Sequence, residues 1–206
     1  MNTDGLRKTY NRIAQDFTDE HYSNTWDDDY LRLFANSLLK GAKVLDLGCG
    51  AGNDTAKLDK MGFATEGIDL SDKLIEIVKQ KTPNLKFVQG DMLKLPYKDA
   101  SFDGVFAKAS ILHIAKEDVP KVLAEIKRVL KPKGIVHIAI KGGEGEGLIN
   151  EDDYGYKYQR FFSYWKMEPF VELLKKQSYK IVRKEVWRRT PESYTIWLKI
   201  LAQKSE

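Results

Sequence analysis

The sequence predicts a doubly wound α/β fold: a mostly parallel sheet of seven strands, helices on both faces, and a reversed strand at the C-terminal end. Three observations lead there. Between residues 42 and 140, five short β-rich runs alternate with stretches whose apolar residues recur at helical spacing. That is the order of parallel strands joined by right-handed crossovers. Near the C-terminus two more β-rich runs are separated only by RRTPES, too short for a helical crossover, so they should pair as an antiparallel hairpin. Finally, the first strand runs straight into a glycine-rich turn and a helix start, the order in which such sheets build binding sites at their carboxyl edge.

Taken in order, residues 5–40 read as one or two helices packed outside the sheet. AKVLDL (42–47) and GFATEGID (62–69) are the first two strands, and LKFVQGD (85–91), FDGVFA (102–107) and GIVHIAI (134–140) the next three. A helix begins near Asn53. SDKLIEIVKQK (71–81) places Leu74, Ile75 and Val78 on one face, with Ser71 as N-cap. EDVPKVLAEIKRVL (117–130) carries an apolar stripe of Val119, Val122, Leu123, Ile126, Val129 and Leu130, and stops at KPKG, where Pro132 and Gly134 end it. A helix around 167–177 precedes the hairpin strands YKIVRKEVW (179–187) and YTIWLKILA (194–202). The chain therefore reads as a single domain over 1–206, with a helical cap at 1–40, a core at 41–141, a loop at 142–165, and a helix plus hairpin at 166–206.

Size and composition narrow the classes. A chain of 206 residues with 42% hydrophobic and 31% charged residues buries a full core and is not disordered. Its longest apolar runs are strand-sized, short of the roughly 18 residues that a membrane span needs. MNTDGLRKTYNR is polar and reads as no secretory signal, which suggests a cytoplasmic protein. The lone Cys49 excludes an internal disulfide framework or a zinc cluster of several thiolates, and no metal site is expected. The net charge of +4 is mild but unevenly spread. Acids prevail over residues 1–30, and Lys175, Lys176, Lys180, Arg183, Lys184, Arg188 and Arg189 make the end basic. That basic end is either a solvated face or a surface for RNA.

VLDLGCGAGNDT (44–55) bends the chain after Asp46 through Gly48, Gly50 and Gly52 into a helix, a tight turn expected to expose its amides at a helix N-terminus. The spacing is G-x-G-x-G with an acid two residues ahead, whereas a dinucleotide fingerprint is G-x-G-x-x-G. Asp69 ends the second strand, where a carboxylate can take both ribose hydroxyls. Asp91 ends the third, where an acid can accept the adenine amino group while Met92 packs on the ring. Three strand-end acids imply an adenosine ligand with a cationic group near the first turn.

VLDLGCGAG, EGIDLS, GDMLKLPYKDASFDGVFA and LHI…LKPKGIVHIAI together resemble the class I S-adenosylmethionine-dependent methyltransferases, across about residues 40 to 140. The resemblance implies the Rossmann-like form of the predicted sheet and a chain that uses S-adenosylmethionine and releases S-adenosylhomocysteine. Asp46 and the backbone of Gly48 and Gly50 would hold the methionine end. Asp69 would hold the ribose, Leu70 would lie against adenine, Asp91 and Met92 would hold the base, and the Ala107 backbone would meet the amino group. Cys49 is then a packing residue.

Methyl transfer from a sulfonium needs alignment and water exclusion more than a fixed triad. KASILHI after the fourth strand lacks the Asn/Asp-Pro-Pro-aromatic motif of exocyclic-amine methylases, and no cysteine is placed for C5 methylation of cytosine. His113 is the candidate general base, with a packing role as the alternative. Lys108 either touches the acceptor or orders its loop. The loop at 142–165 reads as a substrate lid with Tyr154, Tyr158 and Phe162 facing the acceptor, and Tyr10, Tyr22 and Trp26 as the opposing wall. A small-molecule acceptor with an O, N or S nucleophile is the leading expectation. An RNA acceptor, or a protein that holds the cofactor without transferring its methyl, are the alternatives. The oligomeric state is not legible.

Overall fold

The computed structural model describes residues 3–188, 190 and 193–205. Seven strands form one sheet: β1 (Lys43–Leu47), β2 (Ala64–Asp69), β3 (Lys86–Gln89), β4 (Phe102–Lys108), β5 (Leu130–Gly142), β8 (Tyr179–Arg188) and β9 (Ile196–Lys204). They lie in the order β3-β2-β1-β4-β5-β9-β8. The first five run parallel, and β9 is antiparallel to both β5 and β8, so the reversed terminal strand is where the sequence predicts it. Of the RRTPES turn, Arg189, Pro191 and Glu192 lie outside the described residues, as do Met1 and Asn2 of the polar start.

The sheet turns between β1 and β4, with the chain winding one way through β2 and β3 and the other way through β5. Ligand sites in doubly wound sheets open at the strand ends beside such a reversal. Because both faces are covered, β1 and β4 are buried almost throughout rather than at alternate residues. On one face α5 (Val119–Val129) buries Val119, Val122, Leu123, Ile126 and Val129 against the sheet, together with Phe170 and Leu174 of α6 (Met167–Lys176). On the other, Leu31 and Phe34 of α2 (Asp28–Asn36) and Leu58 of α3 (Asn53–Lys60) pack on Phe106 and Leu201. The helix α4 (Asp72–Lys81) starts as the sequence predicts, the Ser71 hydroxyl accepting from the Leu74 amide at 3.1 Å.

Two expectations change. The α5 helix stops at Val129 and the chain is already extended at Leu130, four residues before the predicted strand start. Pro132 restricts the residues before it, and the register slips between Phe102 and Gly104 to absorb the extra length. The segment 142–165 is not an open loop. Most of it is a second, two-stranded antiparallel sheet of β6 (Glu146–Glu151) and β7 (Tyr158–Ser163). Arg160 makes a bidentate pair with Glu151, 2.5 and 2.6 Å, across the two strands.

This hairpin lies against α1 (Thr3–His21) through Thr9 to the Gln159 carbonyl at 3.0 Å, Tyr154 to Glu20 at 2.7 Å and Tyr156 to Asp16 at 2.6 Å. The two walls foreseen as separate are thus one joined roof. In the basic end, Lys175, Lys184 and Arg183 are paired with Glu172, Glu168 and Glu185. Among the described residues no helix is long and apolar enough to cross a membrane.

Candidate active site

A cavity of about 930 Å³ opens at the carboxyl ends of β1, β2, β4 and β5, beneath α1 and β7. Asp46, Gly48, Gly50, Asp69, Leu70, Asp91 and Met92 all line it, as do Tyr10, Lys108, His113 and Phe162. The three acids foreseen from the sequence are therefore gathered on one wall. Asp46 is in β1, Asp69 closes β2, and Asp91 stands two residues beyond β3.

The glycine turn is stitched to β2 rather than left with free amides. Gly48 and Cys49 donate to the Ile68 carbonyl at 2.8 and 3.0 Å, Gly50 donates to Asp69 Oδ2 at 2.9 Å, and Gly52 donates to the Cys49 carbonyl at 2.8 Å. What the glycines supply is left-handed backbone and the absence of side chains. Gly48 has φ +74°, and a Cβ there would sit 2.3 Å from Ser110 Cβ. Cys49 is buried with Ile75, Val78 and Phe87, and burial pushes its thiol up, so it packs and is no nucleophile.

Asp69 accepts from the Gly50 amide through Oδ2 and from the Ser71 amide at 2.9 Å through Oδ1, which fixes the carboxylate plane. Burial nonetheless outweighs these bonds and raises its pKa. Asp46 is pushed up to about 7, first by burial and then by the nearby charge of Asp54, against the Thr55 hydroxyl that it accepts at 2.6 Å. The nearby Lys108 ammonium is held by Asp54 at 2.5 Å and lies over Trp26. A buried acid so perturbed in the wall of a cleft is a candidate functional residue.

The sign gives an expected result. With its folded pKa above the unfolded value of about 3.9, Asp46 costs stability in full above pH 7, and the cost is relieved as pH falls through 7 toward 4. Asp46→Asn, which keeps the Thr55 bond, should stabilise the ligand-free protein by about 1–2 kcal/mol at pH 8 and lose that gain near pH 4, read by denaturant unfolding at the two pH values.

His113 ends a 3₁₀ turn after β4, Ile111–His113. Its Nδ1 faces the Phe161 carbonyl at 2.7 Å, which only accepts, so the proton is on Nδ1 and Nε2 accepts the Tyr10 hydroxyl at 2.7 Å. Burial, with Arg160 and Lys141 nearby, depresses its pKa to about 3, and it stays neutral. Arg160 Nη1 reaches the Tyr10 oxygen at 3.5 Å.

Four foreseen residues lie outside the cavity lining. Ala107 stays inside the sheet opposite Ile138, and Lys108 is the first residue of β4 to reach the space. Tyr22 lies under the Lys81 ammonium. Tyr154 and Tyr158 stack on each other at 5.5 Å and stiffen the roof from outside. Trp26 reaches the wall as foreseen, and Trp187, Trp197, His21, Lys141 and Arg160, which were not foreseen, reach it too. Lys141 had a signal in the sequence: it directly follows the predicted strand GIVHIAI and stands one residue from the end of β5.

Comparison with known proteins meets this geometry. Residues 45–138 match the family model described as a methyltransferase domain. YqeM, a methyltransferase-family protein of Bacillus subtilis (strain 168), is 31% identical over 156 residues, 69% of this chain and 63% of its own length. The matched stretch, residues 45–138, is a methyltransferase domain. The matched methyltransferase domain contains β1 through most of β5, including the glycine turn and all three acids. A demethylmenaquinone methyltransferase of Staphylococcus aureus (strain MRSA252) is 41% identical over 103 residues, 47% of this chain and 42% of its own. The chain thus spans less than two thirds of either relative. In fold it superposes on the Burkholderia thailandensis 1,6-didemethyltoxoflavin-N1-methyltransferase, solved with 1,6-didemethyltoxoflavin and S-adenosylhomocysteine, with TM-score 0.79, 22% identity, and 98% and 88% of the two chains covered.

Proposed function

We propose that this chain transfers a methyl group from S-adenosylmethionine to an O, N or S atom of a small-molecule acceptor. The observation that carries the reading is the meeting of Asp46, Asp69 and Asp91 with the bare glycine turn on one wall of a single cavity. The residues present fit the group. Asp46, costly as an anion where it stands, suits a cationic methionine end, and no Cβ at Gly48 or Gly50 blocks the approach. A space of about 930 Å³ is at the upper end for one small ligand and suits a cofactor with an acceptor beside it. S-adenosylmethionine bound there supplies an activated methyl, which passes to the acceptor nucleophile with S-adenosylhomocysteine left behind.

The chain's residues then have these parts. Asp69, its plane set by two amides, receives the ribose hydroxyls, with Leu70 against the adenine. Asp91 and Met92 take the base edge and face. His113 is a positioning residue that orients the Tyr10 hydroxyl at the acceptor side, since its lone pair is already engaged and its low pKa makes it a weak base. Tyr10, Phe162, Trp26 and Trp197 give that side an aromatic lining that excludes water and suits a flat acceptor. Support for such an acceptor comes from the names of the two relatives, which act on demethylmenaquinone and on 1,6-didemethyltoxoflavin.

Calorimetry with S-adenosylhomocysteine tests the reading. Micromolar binding is expected, and Asp69→Asn, which keeps an acceptor for the Ser71 amide but sets an NH2 donor against the Gly50 amide, should weaken it about thirtyfold, ~2 kcal/mol, by losing the charge-assisted hydroxyl contact and the fixed plane together. An unchanged affinity would remove the ribose assignment.

A further inference from the structure

The cavity wall is divided by charge along the sheet. Asp46, Asp69 and Asp91 stand at the ends of β1, β2 and β3, while Lys108, Lys141 and Arg160 come from β4, β5 and β7. Two of these three cations are spoken for, Lys108 by Asp54 and Arg160 by Glu151. Lys141 is different. Half-buried at the end of β5, it has no carboxylate within ion-pair distance among the described residues, and its ammonium lies 3.7 Å from the centroid of the Phe162 ring. Burial, then repulsion from Arg160, lower its pKa, with Glu151 and Asp153 pulling the other way. An ammonium kept where water is scarce and no acid meets it is one whose partner arrives from outside.

We propose that the β5 side of the cavity is a subsite for an anionic acceptor, in which Lys141 binds a carboxylate on a flat ring lying beside Tyr10. The assignment rests on the methyltransferase reading of the same cavity and adds the charge of the acceptor to it. Phe162, itself 2% exposed, backs the ammonium with its ring face and holds it at the cavity wall. Tyr10, fixed by His113 and within reach of Arg160, stands beside it as a second polar contact. The acidic half opposite repels an anion, so the acceptor has one orientation in which its charge is matched.

The test titrates benzoate, 4-hydroxybenzoate and 2-naphthoate, each against its primary amide, into the protein with and without saturating S-adenosylhomocysteine. The carboxylates should bind about tenfold more tightly than the amides, an ordinary charge-assisted preference. Lys141→Met should bring the two to parity, and Lys141→Arg should keep most of the difference, while affinity for S-adenosylhomocysteine stays within about twofold in both. Three results overturn the proposal: no carboxylate binds up to its solubility, parity in the unmodified protein, or a preference that survives Lys141→Met. A parallel loss of S-adenosylhomocysteine affinity in Lys141→Met also overturns it, by placing the ammonium on the cofactor. Failure of S-adenosylhomocysteine to bind the unmodified protein counts against the proposed function instead, and the arm without it still decides Lys141.

Discussion

Asp27→Ala is expected to lower the unfolding free energy by about 3–5 kcal/mol, the range for removing one partner of a buried ion pair, and to drop Tm by roughly 10 °C. Asp27 is 2% exposed in the link between α1 and α2. Its Oδ2 lies 3.1 Å from His137 Nε2 on β5, and the Lys199 ammonium on β9 approaches Oδ1 at 2.6 Å, as an ion pair rather than an aligned hydrogen bond. Burial works to raise the Asp27 pKa, but His137 and Lys199 win and hold it below the usual carboxylate value. Its stabilising contribution is therefore present above pH 4 and lost as pH falls below it, so unmodified protein and variant should converge only in acid.

The size of the effect comes from what is left behind. Lys199 is 2% exposed and ringed by Trp187, Tyr30 and Trp26 at 4.2, 4.9 and 5.2 Å, so without Asp27 its charge stays buried with only ring faces to meet it. Lys199→Met in the Asp27→Ala background should recover roughly half of the loss by removing that orphan charge. Trp26 packs on Trp197 at 4.5 Å, and both line the cavity, so binding of S-adenosylhomocysteine should weaken in step with stability. Denaturant unfolding of the single and double variants checks the first claim, and calorimetry the second.

The part of this molecule that is written locally was legible. A strand, a turn that needs three left-handed residues, and an acid at each strand end are all features of a few adjacent residues, so Asp46, Asp69 and Asp91 could be placed on one wall before any coordinates. What escaped depends on which distant residues meet. Lys199 sits in TIWLKILA as one charge in an apolar strand; only the pairing of β9 beside β5 brings it to His137 and Asp27. The hairpin of β6 and β7 hid behind glycines at 142, 143, 145, 147 and 155, although EGLINE and YQRFFS do pair residue by residue. The amides of Gly48, Cys49 and Gly50 were misjudged for the same reason, since their acceptors belong to β2, about twenty positions on.

That last misjudgement leads to the second large effect. Gly48→Ala should destabilise the protein by about 3 kcal/mol and weaken S-adenosylhomocysteine binding at least about tenfold, through two separable causes. The first is conformational: φ is +74° at Gly48, and an L-residue with a Cβ pays about 1–2 kcal/mol there. The second is contact. The new Cβ would lie 2.3 Å from Ser110 Cβ and 3.6 Å from its Cα, and Ser110 cannot swing away because the overlap is with the first atom of its side chain. The Ser110 segment is itself fixed, following Ala109 at φ +54° and leading into the 3₁₀ turn that carries His113. Relief must therefore come from moving one loop off the other, which opens the cavity between Asp46 and His113 and loosens the stitch to Ile68. Gly48→Ala with Ser110→Gly removes the overlap and keeps the φ cost, so about half of the stability and most of the affinity should return. Gly50→Ala is the contrasting case. At φ +49° its Cβ would meet only Phe17 Cε1, at 3.1 Å, a ring edge that can shift, so it should cost about 1 kcal/mol and leave the Ser110 loop in place. Equal losses for Gly48→Ala and Gly50→Ala, with no rescue by Ser110→Gly, would mean that the first glycine serves only its backbone angle and not the close approach of the two loops that frame the site.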